Sequence, residues 1–205
     1  MADEQLSKDL RPYLWFLEQA ADEGLALTSA GYMKPADVTA ASEVLPAMQR
    51  WIGTKNREVQ CAPSLYFRES LQHNKLRKYK GRLLLTRVGK SVAGDPKTLC
   101  EHIAQSLIPT TDDRFTAEAC FLLLFFAATS DDGTLLLDRL VSLLNHLDWR
   151  HQDGSPIMES DLHHLDGDPY ETLKNLSEPV RFREPLRLSP TAITIARAAV
   201  TGRPV

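Results

Sequence analysis

The sequence predicts a mainly α-helical fold with small β-hairpins, arranged as two related modules in tandem. Three observations support this prediction. Apolar residues recur at helical spacing over much of the chain, two β-compatible segments flank Gly81, and a similar series of segments returns near the C-terminus. The chain has 205 residues, enough for one medium domain or two small ones. We place the modules at residues 1–108 and 114–205, with 109–113 (PTTDD) as the linker.

The first module is predicted to begin with a helix over residues 13–21, which ends before Gly24. A short extended piece follows at 25–28, and the next helix opens at Pro35. Pro46 should kink or divide this helix, because proline removes a backbone donor and clashes with the preceding turn. Its apolar stripe comprises Val38, Ala41, Leu45, Met48 and Ile52.

A third helix is predicted over residues 64–74 and a basic hairpin over 76–86, with its turn at Gly81. Phe67 and Leu71 share the inner face of this helix. Helices should follow over 87–93 and 96–107, the second one capped by Asp95. The outer face of the third helix is expected to carry Ser64, Arg68, Gln72 and Lys75.

The second module is predicted to start with an apolar helix over residues 115–128 that is buried nearly all round. Further helices are expected over 135–147, around 159–165 and over 169–176. Two short extended pieces at 181–188 turn at Glu184-Pro185, and a last helix is entered through Ser189-Pro190. This ending repeats the pattern of residues 81–94, which suggests two related modules.

The composition is that of a soluble globular protein, with 43% apolar residues, 25% charged residues and a net charge of −3. The longest apolar run, residues 119–128, is about half of the roughly 20 residues that a membrane span requires. No secretory signal is recognisable, so we expect a cytoplasmic protein. Three widely spaced cysteines, Cys61, Cys100 and Cys120, favour buried thiols over disulfides or a zinc site.

Basic residues are concentrated in one segment, which we call the basic segment, residues 75–90. It holds seven basic residues and no acidic one, whereas the remainder of the chain carries 17 basic and 27 acidic residues. Like charges at this density repel one another, and a polyanion relieves the repulsion while it releases its counterions. The segment therefore favours a nucleic-acid or phosphate partner, although a solvated surface is the alternative.

The order helix, strand, helix, helix and hairpin is that of a winged helix-turn-helix domain. In such a domain residues 64–74 would form the recognition helix and 76–86 the wing. The candidates for base contacts are Arg68, Gln72 and His73. Arg57 precedes this helix and would act as a phosphate clamp, or alternatively pair with a neighbouring carboxylate. The candidates for phosphate contacts are Lys75, Arg77, Lys78, Lys80 and Arg82.

Three stretches, 27–38 (LTSAGYMKPADV), 51–58 (WIGTKNRE) and 63–89, carry a resemblance to a known family. Together they resemble uncharacterised bacterial proteins, frequent in actinobacteria, that are described as plasmid open-reading-frame-three-like or transposon passenger proteins. The resemblance covers residues 10–110 and continues more weakly to the C-terminus. It implies association with a mobile element and no particular activity.

A second candidate site is the His- and Asp-rich stretch at residues 151–168. No known metal-binding spacing is present, so an acidic solvated loop is the favoured interpretation over a metal site. The eight potential ligands are His151, Asp153, Glu159, Asp161, His163, His164, Asp166 and Asp168.

Motifs for catalysis and cofactor binding are missing: the sequence has no GxSxG, P-loop or GxGxxG motif. We therefore expect neither an enzyme nor a cofactor. Two hypotheses about function remain. The first is duplex-DNA binding, with a regulatory or mobile-element role; the second is a protein-interaction module or homodimer built on winged-helix folds without DNA binding.

Overall fold

The computed structural model describes residues 3–73, 76–79, 81–163, 165–166, 168–178 and 184–203. Helices account for 59% of the chain, and the strands form two small antiparallel sheets, so the mainly helical class with small β-elements is confirmed. None of the helices in these ranges is long and apolar enough to cross a membrane.

The first half contains six helices and three strands among its described residues. Helix α3 ends at Val44, and Pro46 starts a short 3₁₀ turn, Pro46–Gln49, so this proline divides the segment as predicted. Asp95 caps α6 as predicted, because its carboxylate accepts a hydrogen bond from the Lys97 N–H at 3.0 Å. The elements are α1 (Asp3–Asp9), α2 (Arg11–Gln19), β1 (Leu25–Ala26), α3 (Pro35–Val44), α4 (Ala62–His73), β2 (Leu76–Tyr79), β3 (Arg82–Leu85), α5 (Arg87–Val92) and α6 (Pro96–Ser106).

The three strands of the first half form one antiparallel sheet in the order β1-β3-β2. Leu83 of the central strand lies opposite Leu25 of β1 and opposite Lys78 of β2. Gly24 precedes β1 with a φ of 75°, and a Cβ atom there would lie 2.4 Å from the Leu83 carbonyl oxygen. Only glycine therefore allows the chain to approach β3 this closely.

The second half continues with five helices and two strands among its described residues. Strands β4 and β5 are antiparallel, and Leu135 lies opposite Leu186. The other edge of β5 is held by the Glu178 N–H, which donates to the Arg187 carbonyl at 2.8 Å. The elements are α7 (Arg114–Thr129), β4 (Thr134–Leu135), α8 (Leu137–His146), α9 (Glu159–Leu162), α10 (Pro169–Asn175), β5 (Leu186–Arg187) and α11 (Pro190–Thr201).

The two halves use the same local features at corresponding points. Gly133 precedes β4 with a φ of 75°, as Gly24 precedes β1, and a Cβ at Gly133 would lie 2.9 Å from the Leu188 carbonyl oxygen. After the last strand of each half, the hydroxyl of Thr86 or of Ser189 caps the following helix. The two halves therefore share a positive-φ glycine before a strand and a hydroxyl cap after one.

Buried residues from both halves form one continuous core, which runs from Leu6 to Ala198. Helix α10 packs against α4 and the Pro46–Gln49 turn, and α11 packs against α6 and α7. The three cysteines are buried free thiols, as predicted. Their burial raises the pKa of Cys100 and Cys120 to about 12.

Several expectations about individual elements are wrong. Ile52 is 95% exposed, because the helical register that predicted its burial ends at Pro46. Helix α7 is not buried all round: Phe121 and Phe125 are 42% and 44% exposed. The helix predicted over residues 135–147 begins only at Leu137, because Thr134 and Leu135 form β4 and pair with β5.

The last hairpin also differs from its prediction. Its second piece is β5, but β5 pairs with β4 and, through Ser177 opposite Leu188, with the chain before it. Residues 181–183, predicted as the first piece, lie outside the described residues.

Candidate nucleic-acid interface

Arg68, predicted as a base contact, points into the protein and is only 6% exposed. Its Nε donates to Glu58 Oε1 at 2.5 Å, and the other oxygen of Glu58 accepts from the Met33 N–H at 2.6 Å. Buried charges are stable when they are paired in this way. Ser64, on the same face of α4, is 1% exposed. The Ser64 and Arg68 positions of the predicted outer face are therefore internal, because Arg68 pairs with the buried Glu58.

The outward face of α4 is a different one and carries Tyr66, Glu69 and Gln72, all of them exposed. Their spacing of three places them on one side of the helix. Gln72 is therefore accessible, as predicted. Glu69 lies between the other two, and its carboxylate repels phosphates while remaining able to accept from a cytosine amino group. The side chain of His73 lies outside the described part of the structure.

The hairpin β2–β3 continues from α4 and turns at Gly81, as predicted. Gly81 has a φ of 75°, which suits a tight turn, and nothing lies within 4 Å of the position a Cβ would take. In the register of the two strands, Arg77 lies opposite Leu84 and Lys78 opposite Leu83. The side chains of Arg77 and Lys78, as well as Lys75 and Lys80, lie outside the described residues.

Arg82, predicted as a phosphate contact, is largely engaged by the protein itself. Its Nε donates to the Glu23 carbonyl, and its Nη2 donates to the Gly24 carbonyl at 3.1 Å. The Glu23 carboxylate lies 3.4 Å from the same nitrogen. Arg82 therefore fastens β3 to the loop after α2, although its side chain is still 40% exposed.

The loop before α4, residues 51–57, is held in shape by Trp51. Its indole N–H donates to the Thr54 carbonyl at 3.0 Å, and a Cβ on Gly53 would lie 2.5 Å from the Trp51 ring. Lys55 and Arg57 are exposed in this loop. Arg57 makes no ion pair among the described residues, whereas Glu58 is buried, so within the predicted Asn56-Arg57-Glu58 cluster only Glu58 has a clear structural role.

Exposed cations also follow the hairpin on α5. Thr86 caps this helix by accepting a hydrogen bond from the Gly89 N–H at 3.3 Å, and Arg87 and Lys90 are exposed on it. Lys55 was not among the predicted contacts. The signal that identifies it is its position two residues before Arg57 in the same polar connection.

The His- and Asp-rich stretch uses most of its carboxylates locally. His151 Nε2 lies 3.0 Å from Asp161 Oδ2, and the same oxygen accepts from the Met158 N–H. Asp153 accepts from the Ser155 N–H and hydroxyl. These bonds to Ser155 hold the pKa of Asp153 below its usual range. Within the described ranges no three metal-ligating side chains converge here; His164 lies outside them.

Comparisons with protein-family models, with curated proteins and with solved structures find no match to this chain.

Proposed function

We propose that the first half is a winged helix that binds duplex DNA mainly through its basic segment. The assignment rests on the element order α2, β1, α3, α4, β2, β3 together with the sheet order β1-β3-β2. In a winged helix the hairpin lies beside the third helix and contacts the phosphate backbone. The described part of the second half has α7, β4, α8, α10 and β5 in a similar order, with α9 inserted after α8 and no described strand in the place of β2, and we extend the proposal of tandem modules to it.

The observation that carries the DNA proposal is the separation of charge. The basic segment has seven cations and no acid in a chain whose net charge is −3. Arg87 and Lys90 are exposed at its C-terminal end, and Lys55 and Arg57 are exposed in the loop before α4. Cations in these positions flank α4 in sequence on both sides, and their contact with phosphates would release counterions.

Binding of this kind should depend little on DNA sequence. Base contacts require donors and acceptors on the groove-facing helix, whereas phosphate contacts carry no sequence information. With Arg68 paired to Glu58 inside the protein, Gln72 and His73 remain as the candidates for base contacts. The family resemblance adds the proposal that the protein is a DNA-binding accessory factor of a mobile element.

The second candidate, a protein-interaction module, is favoured by one observation. The outward face of α4 presents Tyr66, Glu69 and Gln72, and so carries a carboxylate but no cation among its described side chains. An aromatic ring beside polar groups is typical of protein interfaces. Under this hypothesis α4 contacts another protein and the basic segment binds an acidic part of it.

Substitution of Lys78 and Lys80 by Gln tests the DNA proposal. We expect affinity for a random-sequence duplex to fall on the order of tenfold, and the slope of log K against log salt to drop by about two, because two phosphate contacts are lost. Fluorescence anisotropy over a series of salt concentrations measures both quantities. The matched control replaces Lys8 and Lys97, which are exposed elsewhere, and has the same charge change.

The control variant K8Q/K97Q should keep the wild-type slope. Equal losses in the two double variants, or no duplex binding at low salt by a folded wild-type protein, would contradict the proposal. The second outcome would favour the protein-interaction hypothesis.

A further inference from the structure

Helix α7 exposes a pair of aromatic rings that the rest of the described structure leaves partly uncovered. Phe121 and Phe125 are stacked, with ring centroids 6.5 Å apart and an interplanar angle of 19°, and they are 42% and 44% exposed. The opposite side of α7 is completely buried, with Ala119, Leu123 and Leu124 at 0% exposure. Large exposed apolar groups placed together are typical of interaction sites.

Charged residues extend this aromatic pair along the same face of α7. Steps of four, three and four residues separate Arg114, Glu118, Phe121 and Phe125. These four residues therefore lie on the same outward side of α7. At the other end of the face, Arg197 of α11 donates from Nε to the Ala128 carbonyl at 2.8 Å, and Asp132 is exposed just beyond the helix. The face is therefore apolar in the centre, with both signs of charge toward each end.

We propose that this face joins two copies of the chain in a symmetric dimer, in which the outward faces of the two α7 helices pack antiparallel and cross midway between Phe121 and Phe125. This arrangement places Phe121 of one copy against Phe125 of the other, and Phe125 against Phe121. A twofold axis requires such self-complementarity, because each residue pair occurs twice. With 16 residues, α7 is about 24 Å long, so the contact extends over the whole helix.

The charges at the two ends are complementary in this arrangement. Glu118 lies five residues before Leu123 and Ala128 five residues after it, so Glu118 approaches Arg197 of the second copy. At the other end Arg114 approaches the turn that follows α7 of the second copy, which carries the exposed Asp131 and Asp132. Glu118 makes no ion pair within the described part of the chain, and Arg197 uses Nε internally while its side chain remains exposed. Complementary charges of this kind set the orientation of an interface.

A parallel arrangement lacks these contacts. Parallel packing in register brings Glu118 against Glu118 and Arg114 against Arg114, and like charges in contact are unfavourable. The charge pattern therefore selects the antiparallel dimer. This inference does not depend on DNA binding, because none of its residues belongs to the proposed DNA interface.

A charge exchange between chains tests the dimer and its orientation together. We expect Glu118→Arg alone and Arg197→Glu alone each to weaken self-association by about tenfold or more, because every dimer then contains two like-charged pairs. An equimolar mixture of the two variants should regain dimers, since both pairs become complementary. Sedimentation equilibrium of the full chain over a range of concentrations measures the association.

A second set of variants tests the dimer without changing any charge, so that its result does not depend on whether the charge variants fold. Phe125→Ser should leave the chain monomeric but folded, with an unchanged far-ultraviolet circular dichroism spectrum, because the ring is already half exposed in one copy. Met158→Ser is the matched control, since Met158 is 62% exposed outside α7, and it should leave the dimer intact. A monomeric wild-type chain at the highest concentration, or a dimer that Phe125→Ser leaves unchanged, would overturn the proposal. So would folded charge variants that fail to associate when mixed.

Discussion

Helices α4 and α10, which correspond to each other in the proposal of tandem modules, have different environments. Helix α4 keeps one face open to solvent, with Tyr66, Glu69 and Gln72 exposed. Helix α10 packs against α4, α7 and the Pro46–Gln49 turn, and of its seven residues only Lys174 is more than 9% exposed. A helix enclosed in this way has no face left for a DNA groove.

The hairpin regions differ in charge as well. The basic segment of the first half contains no acid, whereas residues 177–188 of the second half contain Glu178 and Glu184 beside three arginines. The two halves therefore differ in what they expose to solvent. The first half presents a helix and cations to solvent. The second half packs its helix α10 against the buried side of α4.

The support of α4 is visible at Tyr13, which lies between the halves. Its ring meets Phe67 of α4 edge to face, with centroids 5.0 Å apart, and its hydroxyl lies beside Thr172 of α10. Burial raises the pKa of this hydroxyl well above its usual value. Tyr13 therefore packs where α4 meets α10, on the side of α4 opposite its exposed face.

The largest expected effect comes from comparing the buried ion pair beneath α4 with the exposed pair between Arg82 and Glu23. Arg68→Ala should lower the free energy of unfolding by about 3–5 kcal/mol, because it leaves the Glu58 carboxylate, whose side chain is 0% exposed, without its partner. Glu23→Ala should cost less than about 1 kcal/mol, since the Glu23 side chain is 89% exposed and its pair with Arg82 lies in contact with water. Urea unfolding of both variants measures the difference. Equal costs would show that the Arg68 pair does not hold α4 in place.

A smaller effect is expected at the glycines that precede the first strand of each half. Gly24→Ala should cost about 1–2 kcal/mol more than Gly81→Ala. Both positions have a φ of 75°, but only at Gly24 does a Cβ meet the Leu83 carbonyl, whereas Gly81 is open. Gly133→Ala should resemble Gly24→Ala, because its Cβ would meet the Leu188 carbonyl at 2.9 Å. Thermal unfolding of the three variants measures the ranking, and a Gly24 variant as mild as the Gly81 variant would contradict the close approach.

Local features of the fold could be predicted from the sequence, because their causes lie within a few residues. Asp95 caps the helix that it precedes, Pro46 ends a helix by its own chemistry, and Gly81 forms a turn through its own backbone freedom. The order of elements in the first half follows from such signals.

The orientation of side chains could not be predicted in the same way. Periodicity correctly placed Phe67 and Leu71 on the inner face of α4. It did not predict that Arg68 is buried as well, because that depends on Glu58, which precedes α4 and bonds to both Arg68 and Met33. Similarly, the composition of α7 predicted burial on all sides, whereas exposure of Phe121 and Phe125 depends on how the surrounding helices pack. Contacts between elements distant in sequence leave no periodic signal.

The most direct test of the central claim compares the basic segment of the first half with two arginines of the second half in the same chain. The salt dependence of duplex-DNA affinity should lose about two units of slope when Lys78 and Lys80 are replaced by Gln. Replacement of Arg181 and Arg183 by Gln removes the same charge from the second half and should leave the slope unchanged. An equal loss of slope in both variants, or a larger loss from the second half, would contradict the assignment of DNA binding to the first half.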